Sequence, residues 1–252
     1  MGNTKKSKKM GKRELLWLIV VLVAIVLVLV WVFWITGNRA ENNPTEPTQT
    51  TEISTMPTVD AVIEDEDVVT LGQGLTIKHI GKYAGIFMED GSNEVVSDIM
   101  MMILENNAHQ DLQLARFEVE YSDFTAEFEV TNLPKGERVV LLEKNRHAAV
   151  DEKHTYIQEK NVVFFNEAMS LQEDRVEITG GDGYVEVKNI SGEEISGEIF
   201  VYYKNSATDL LYGGITYRAR VEGGLAAGET KRIPTGHYTA KNSRILQVVI
   251  GE

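Results

Sequence analysis

Two hydropathy patterns divide this sequence. From Leu15 to Ile35 it reads LLWLIVVLVAIVLVLVWVFWI, 21 consecutive residues without a charge, a Gly or a Pro. As a helix rising about 1.5 Å per residue the run is ~31 Å long, close to the hydrocarbon thickness of a bilayer. Trp17 stands near one end and Trp31 and Trp34 near the other, and indole favours the membrane–water boundary. The pattern predicts a transmembrane helix over 15–35, with the lipid bilayer as its partner. From Leu71 onward the period is two. Arg116-Phe117-Glu118-Val119-Glu120-Tyr121 alternates polar and apolar, as does Ala126-Glu127-Phe128-Glu129-Val130. Such alternation predicts antiparallel strands with one face buried and one solvated. Turn signals at Asp90-Gly91, Pro134-Lys135-Gly136, Gly180 to Gly183 and Gly223-Gly224 separate them, with a spacing that suggests sandwiches. A helical pattern shows weakly around 147–161 and nowhere else in this part.

Charge sets the orientation. Lys5, Lys6, Lys8, Lys9, Lys12 and Arg13 precede the apolar run against one acid, Glu14, and Arg39 is the only base soon after it. The positive-inside rule places residues 1–14 in the cytoplasm and the C-terminus outside the cell. The run exceeds the ~7–15 apolar residues of a cleaved signal peptide, and Thr36-Gly37-Asn38-Arg39-Ala40 is a poor cleavage site. An uncleaved anchor follows. The net charge of −13 is therefore uneven, with roughly −18 on the outer part, a surface that repels nucleic acid and suits solubility or cationic partners. Cysteine is absent, which excludes disulfide scaffolds and thiol chemistry and favours a bacterial cell envelope. Residues 36–70, rich in Thr and Pro and ending in the acidic run Glu64 to Asp67, are too polar for a core. They predict an extended stalk whose last 30 residues span roughly 30 Å.

An internal repeat suggests two β-domains, 71–150 and 151–252. Glu105-Asn106-Asn107 leads to Phe117-x-Val119-x-Tyr121, then Ala126-x-Phe128-x-Val130, then Leu133-Pro134-Lys135-Gly136-Glu137. Lys188-Asn189-Ile190-Ser191 leads to Ile199-x-Val201-x-Tyr203, then Tyr217-x-Ala219-x-Val221, then Leu225-Ala226-Ala227-Gly228-Glu229. The same order occurs twice: Asn turn, strand, hairpin, strand, L-x-x-G-E, strand. Gly136 and Gly228 are thus expected at equivalent turns with positive φ. This skeleton resembles the small Ig-like β-sandwich modules found outside bacterial membranes, including those named for an F-x-L-Y-D strand. Phe200-Val201-Tyr202-Tyr203-Lys204 is the local match, with Tyr for Leu and Lys for Asp. The resemblance implies a fold of two tandem Ig-like antiparallel sandwiches behind one transmembrane helix. It implies no common active site.

Candidate chemistry is sparse. His79, His109, His147, His154 and His237 have no metal-pairing spacing. No nucleophile elbow or phosphate loop is present, so no catalytic residue, metal or cofactor is assigned. Asp90-Gly91-Ser92-Asn93-Glu94 alternates oxygens as a calcium loop does, yet lacks the Gly and the terminal Glu of that loop. Aromatic side chains offer the remaining surface. Tyr202, Tyr212 and Tyr217 fall near one another, with Asn205 to Gly214 expected as a long connection carrying Tyr212. The expected function is a non-catalytic, membrane-tethered structural or protein-interaction module, partnered by an envelope protein or wall component. The alternatives are a wall-glycan or divalent-cation binder and, more remotely, an enzyme with an unrecognised carboxylate site.

Overall fold

The computed structural model describes residues 68–151 and 153–251, all within one compact unit. The tail, the apolar run 15–35 and the stalk up to residue 67 lie outside the described residues. What is described is all-β. The first half contains β1 (Val69–Thr70), β2 (Leu75–Ile86), β3 (Val95–Asn106), β4 (Leu112–Glu120), β5 (Thr125–Leu133), β6 (Arg138–Leu142) and β7 (Tyr156–Phe164). The second contains β8 (Val176–Gly181), β9 (Tyr184–Asn189), β10 (Ile199–Ala207), β11 (Leu210–Val221), β12 (Thr230–Pro234) and β13 (Ser243–Ile250). The segment around 147–161 with helical character in the sequence instead ends in strand β7. Its N-terminal part is held by β-type contacts, Ile99 bridging Ala148.

The two halves repeat one pairing scheme. β2-β3-β6 forms one layer and β5-β4-β7 the other; β8-β9-β12 and β11-β10-β13 do the same in the second half. Alternate residues of facing layers meet inside. Leu75, Met102, Phe117, Phe128 and Leu141 share one core, and Val176, Val187, Val201, Ala219 and Val248 another. β7 pairs with β4, so the first half's pairing runs on to Phe164, past the expected boundary at 150–151. The halves are also not merely strung together. β6 pairs in parallel with β11, Leu210 opposite Arg138 and Tyr212 opposite Val140, which merges two layers into one seven-stranded sheet.

The Asn turns explain why the repeat is visible in sequence. Asn106 is fully buried, and its amide donates to the carbonyls of Gln110 (3.1 Å) and Leu133 (3.0 Å) while its Oδ1 accepts from Ala108 N. Asn189, equally buried, donates to Glu193 (2.6 Å) and Leu225 (3.0 Å) and accepts from Ser191 N. Each asparagine satisfies backbone groups that water cannot reach. Its own carbonyl accepts from the turn glycine, Gly136 in one half and Gly228 in the other. Those glycines have φ of +78° and +74°, with nothing within 4 Å of an added Cβ. A β-branched residue there would meet backbone strain rather than a clash. Gly136→Val and Gly228→Val are each expected to lower stability by ~1–2 kcal/mol, by like amounts, in urea unfolding. A cost at only one of them would break the equivalence.

Candidate functional site

The structure scatters the three candidate tyrosines over different environments. Tyr202 lies half-buried on the outer face of the β10 layer, beside Phe200 and opposite Arg218. Arg218 sets its guanidinium 5.1 Å from the Phe200 ring, and Val249 on β13 borders the same face. Tyr212 differs from its expected position. The link between β10 and β11 is only Thr208-Asp209, and Tyr212 is a strand residue, 6% exposed, in an apolar cluster with Tyr83, Phe87 and Val140. The long connection expected over Asn205 to Gly214 is instead ladder, Asn205 pairing with Tyr212. Tyr217 is half-buried, stacked between Tyr203 (5.5 Å) and His237 (4.6 Å). Its phenol is pushed up to about 12 by burial, then by the charges of Tyr203, Glu89 and Asp90.

The most unusual chemistry lies where the halves join. Just past its pairing with β6, β11 carries Gly213-Gly214-Ile215. Gly213 has φ +84°, and a side chain on Gly214 would run into the Glu129 carbonyl oxygen of β5. Two glycines in a strand let another backbone approach this closely. The Glu89 carboxylate, from the segment after β2, accepts from Leu142 N (2.8 Å), Gly214 N (2.8 Å) and Ile215 N (3.3 Å). It takes the place of the ladder partner that β6 and β11 lose where they part. From β10 comes Lys204, 0% exposed, whose ammonium donates to the carbonyls of Gly213 (2.9 Å), Gly214 (2.7 Å) and Ile215 (2.6 Å). One short backbone stretch is thus gripped by an anion at its amides and a cation at its carbonyls. Burial pulls the Lys204 pKa down to about 7 against the opposing pull of Glu89. Burial likewise raises the Glu89 carboxyl, although three backbone amides and Lys204 act to lower it.

The segment 87–94 that delivers Glu89 works as a strap. Arg146 pairs with Asp90 (2.7 Å) and Glu94 (2.6 Å) and stacks 4.3 Å from the Phe87 ring, fixing the strap to the first half. Asn93 reaches His237 of the second half at 3.3 Å. Arg146 accordingly sits on the two carboxylates that a cation in the Asp90–Glu94 turn would use. Asp90 is held below the usual carboxylate range, first by its bonds with Ser92 and then by Arg146. Among the described residues, no group of three or more His, Asp or Glu is arranged to hold a metal ion. Glu143, fully buried, is spent on the backbone amides of Glu127 (3.0 Å) and His147 (2.8 Å).

Sequence reasoning missed Glu89 and Lys204. The Lys204 position reads as the polar side of an alternating strand, and it is buried because β11 carries extra residues opposite it, Gly213-Gly214-Ile215 among them, whose carbonyls take its ammonium. The available signal was Gly213-Gly214 inside a strand pattern, which marks a close backbone approach. No family model, curated protein or solved structure matches this chain.

Proposed function

We propose that this protein is a non-catalytic structural or protein-interaction module of a bacterial cell envelope, built as two tandem Ig-like sandwiches. The anchor is Leu15–Ile35, and the cytoplasmic tail and outer stalk are as the charge pattern suggests. The observation that carries this reading is the junction. β6–β11 pairing, the strap and the Glu89–Lys204 grip make a stiff two-part body, which suits a spacer or presenter more than a hinged catalytic cleft. Glu89 and Lys204, the buried charged groups of the junction, are both engaged by backbone groups. Of the sequence candidates, Tyr202 retains the role of an interaction residue, since aromatic and arginine side chains such as Tyr202, Phe200 and Arg218 carry much interface energy.

Proximity labelling from the outer body in native cells tests this. Protease added to wall-stripped cells is expected to remove the body and leave a membrane fragment. Tyr202→Ala is expected to weaken partner labelling severalfold with the fold retained, because its side chain is only half-buried. A protease-protected body would sink the topology. Unchanged labelling by Tyr202→Ala would remove that face, and a single His or Glu substitution abolishing function without unfolding would point to an enzyme.

A further inference from the structure

The two halves differ at one edge, and the difference describes a missing strand. In the first half the outer edge of β2 is covered by β1, Val69 pairing with Ile77, and Val69 and Leu71 pack against the core. In the second half the equivalent edge belongs to β8, which pairs with β9 alone. Met169-Ser170-Leu171 precedes β8 as Val69-Thr70-Leu71 precedes β2, but it follows the other layer, Ser170 accepting from Val248 N of β13. The lateral opening of this sandwich stays unfilled. A cleft of about 360 Å³ remains there, lined by Leu171, Val176, Ile178, Ile190 and Ile245, with Glu173 and Glu177 as its only charged groups. Leu171 is 36% and Ile190 45% exposed, whereas Leu71, which precedes β2 as Leu171 precedes β8, packs against the core of the first half.

We propose that this cleft is a docking groove for an extended apolar segment bearing lysine or arginine, supplied by another envelope protein, which adds to β8 as β1 adds to β2. The inference rests on the interaction-module reading and names the chemistry of its partner. An open strand edge offers ladder bonds to an incoming chain, and pockets beneath alternate positions give it register. The two carboxylates at the rim favour a basic segment over an acidic one; Glu177 already has Lys188 at 3.6 Å, so Glu173 is the freer of the two. The chain's own acidic run, Glu64 to Asp67, has the wrong sign for this site.

The test uses the detergent-solubilised full chain and a fluorescent heptapeptide alternating valine with lysine. Two controls accompany it: valine alternating with glutamate, and the lysine peptide with its central valine replaced by proline. Saturable binding of the lysine peptide is expected, with both controls about tenfold weaker or worse, since proline removes a ladder donor and glutamate meets Glu173 and Glu177. The double variant Leu171→Asp/Ile190→Asp should lose binding with its melting temperature unchanged, both side chains being exposed. Glu173→Lys/Glu177→Lys should reverse the preference between the charged peptides. Equal binding of all three peptides, no saturable binding, or undiminished binding by the Asp variant overturns the proposal. If peptide binding fails while Tyr202-dependent labelling on cells persists, the groove is wrong and the module reading stands; loss of both removes the module reading as well.

Discussion

Replacing Lys204 with Met is expected to lower the stability of the body by ~3–5 kcal/mol, since each buried acceptor left without its donor costs ~1–3 kcal/mol. The magnitude has two sources. The carbonyls of Gly213, Gly214 and Ile215 lose their shared donor in a place water does not reach. The Glu89 carboxylate loses its nearby counter-charge while still buried against backbone amides. Glu89→Gln keeps an acceptor for one or two of those amides and should cost less. The double variant Glu89→Gln/Lys204→Met should then cost less than the two single changes added together, by ~0.5–3 kcal/mol, because neither charge remains stranded. Urea unfolding of the detergent-solubilised chain, followed by near-ultraviolet circular dichroism, gives all three values. Strict additivity would mean that the two groups act independently. The same experiment reports on the junction. With the grip intact, the continuous sheet should unfold in one transition; with Lys204 gone, the halves are held by fewer contacts and the transition should broaden or split.

A second large effect is expected when pH is varied. The Lys204 pKa is about 7 in the folded chain against an ordinary value of 10.5. Between those values the unfolded chain holds the proton and the folded chain releases it, so stability rises with pH. The limiting slope is about 1.4 kcal/mol per pH unit, and roughly 2–3 kcal/mol should accrue between pH 7 and 9.5. Glu89 acts in the other direction at lower pH. Its folded pKa lies above the ordinary 4.5, so its contribution is complete below pH 4.5 and is lost as pH climbs through the folded value. Half-buried carboxylates such as Glu129, whose burial is outweighed by Arg116 and Lys144, add an acid-side loss of their own. The informative quantity is therefore the difference between the natural chain and Lys204→Met at each pH. That difference should grow in favour of the natural chain from pH 7 to 9.5. A flat difference would mean that Lys204 stays charged throughout, with Glu89 compensating its burial in full.

Alternation exposed the strands and failed where both faces are covered. β4, with Ala115, Phe117 and Val119 inward and Arg116, Glu118 and Glu120 outward, could be read directly from the sequence. β3 could not. Its Ile99-Met100-Met101-Met102-Ile103-Leu104 run is buried at every position. Met100, Met102 and Leu104 enter the sandwich, while Ile99, Met101 and Ile103 lie under Phe87 and Met88 of the strap on the opposite face. Nothing local distinguishes such a strand from a core helix. The candidate site divides in the same way. Parity sets Tyr202 and Tyr203 on opposite faces of β10, with Tyr203 buried and Tyr202 half-buried, whereas Tyr212 was misplaced because the turn residues Thr208-Asp209 give a weaker signal than a Gly pair.

The sequence by itself determined the local quantities: strand parity, the Asn–Gly turns that repeat in each half, the uncharged 15–35 run and the charge asymmetry about it. Each depends on neighbours within a few residues, which the order of the chain supplies directly. Tertiary structure alone decided that β6 pairs in parallel with β11, that Glu89 caps the amides where those strands part, and that Lys204 turns inward beneath them. The first two join residues far apart in sequence, and the third depends on the extra residues that β11 carries between Tyr212 and Tyr217, which no local reading of β10 foresees.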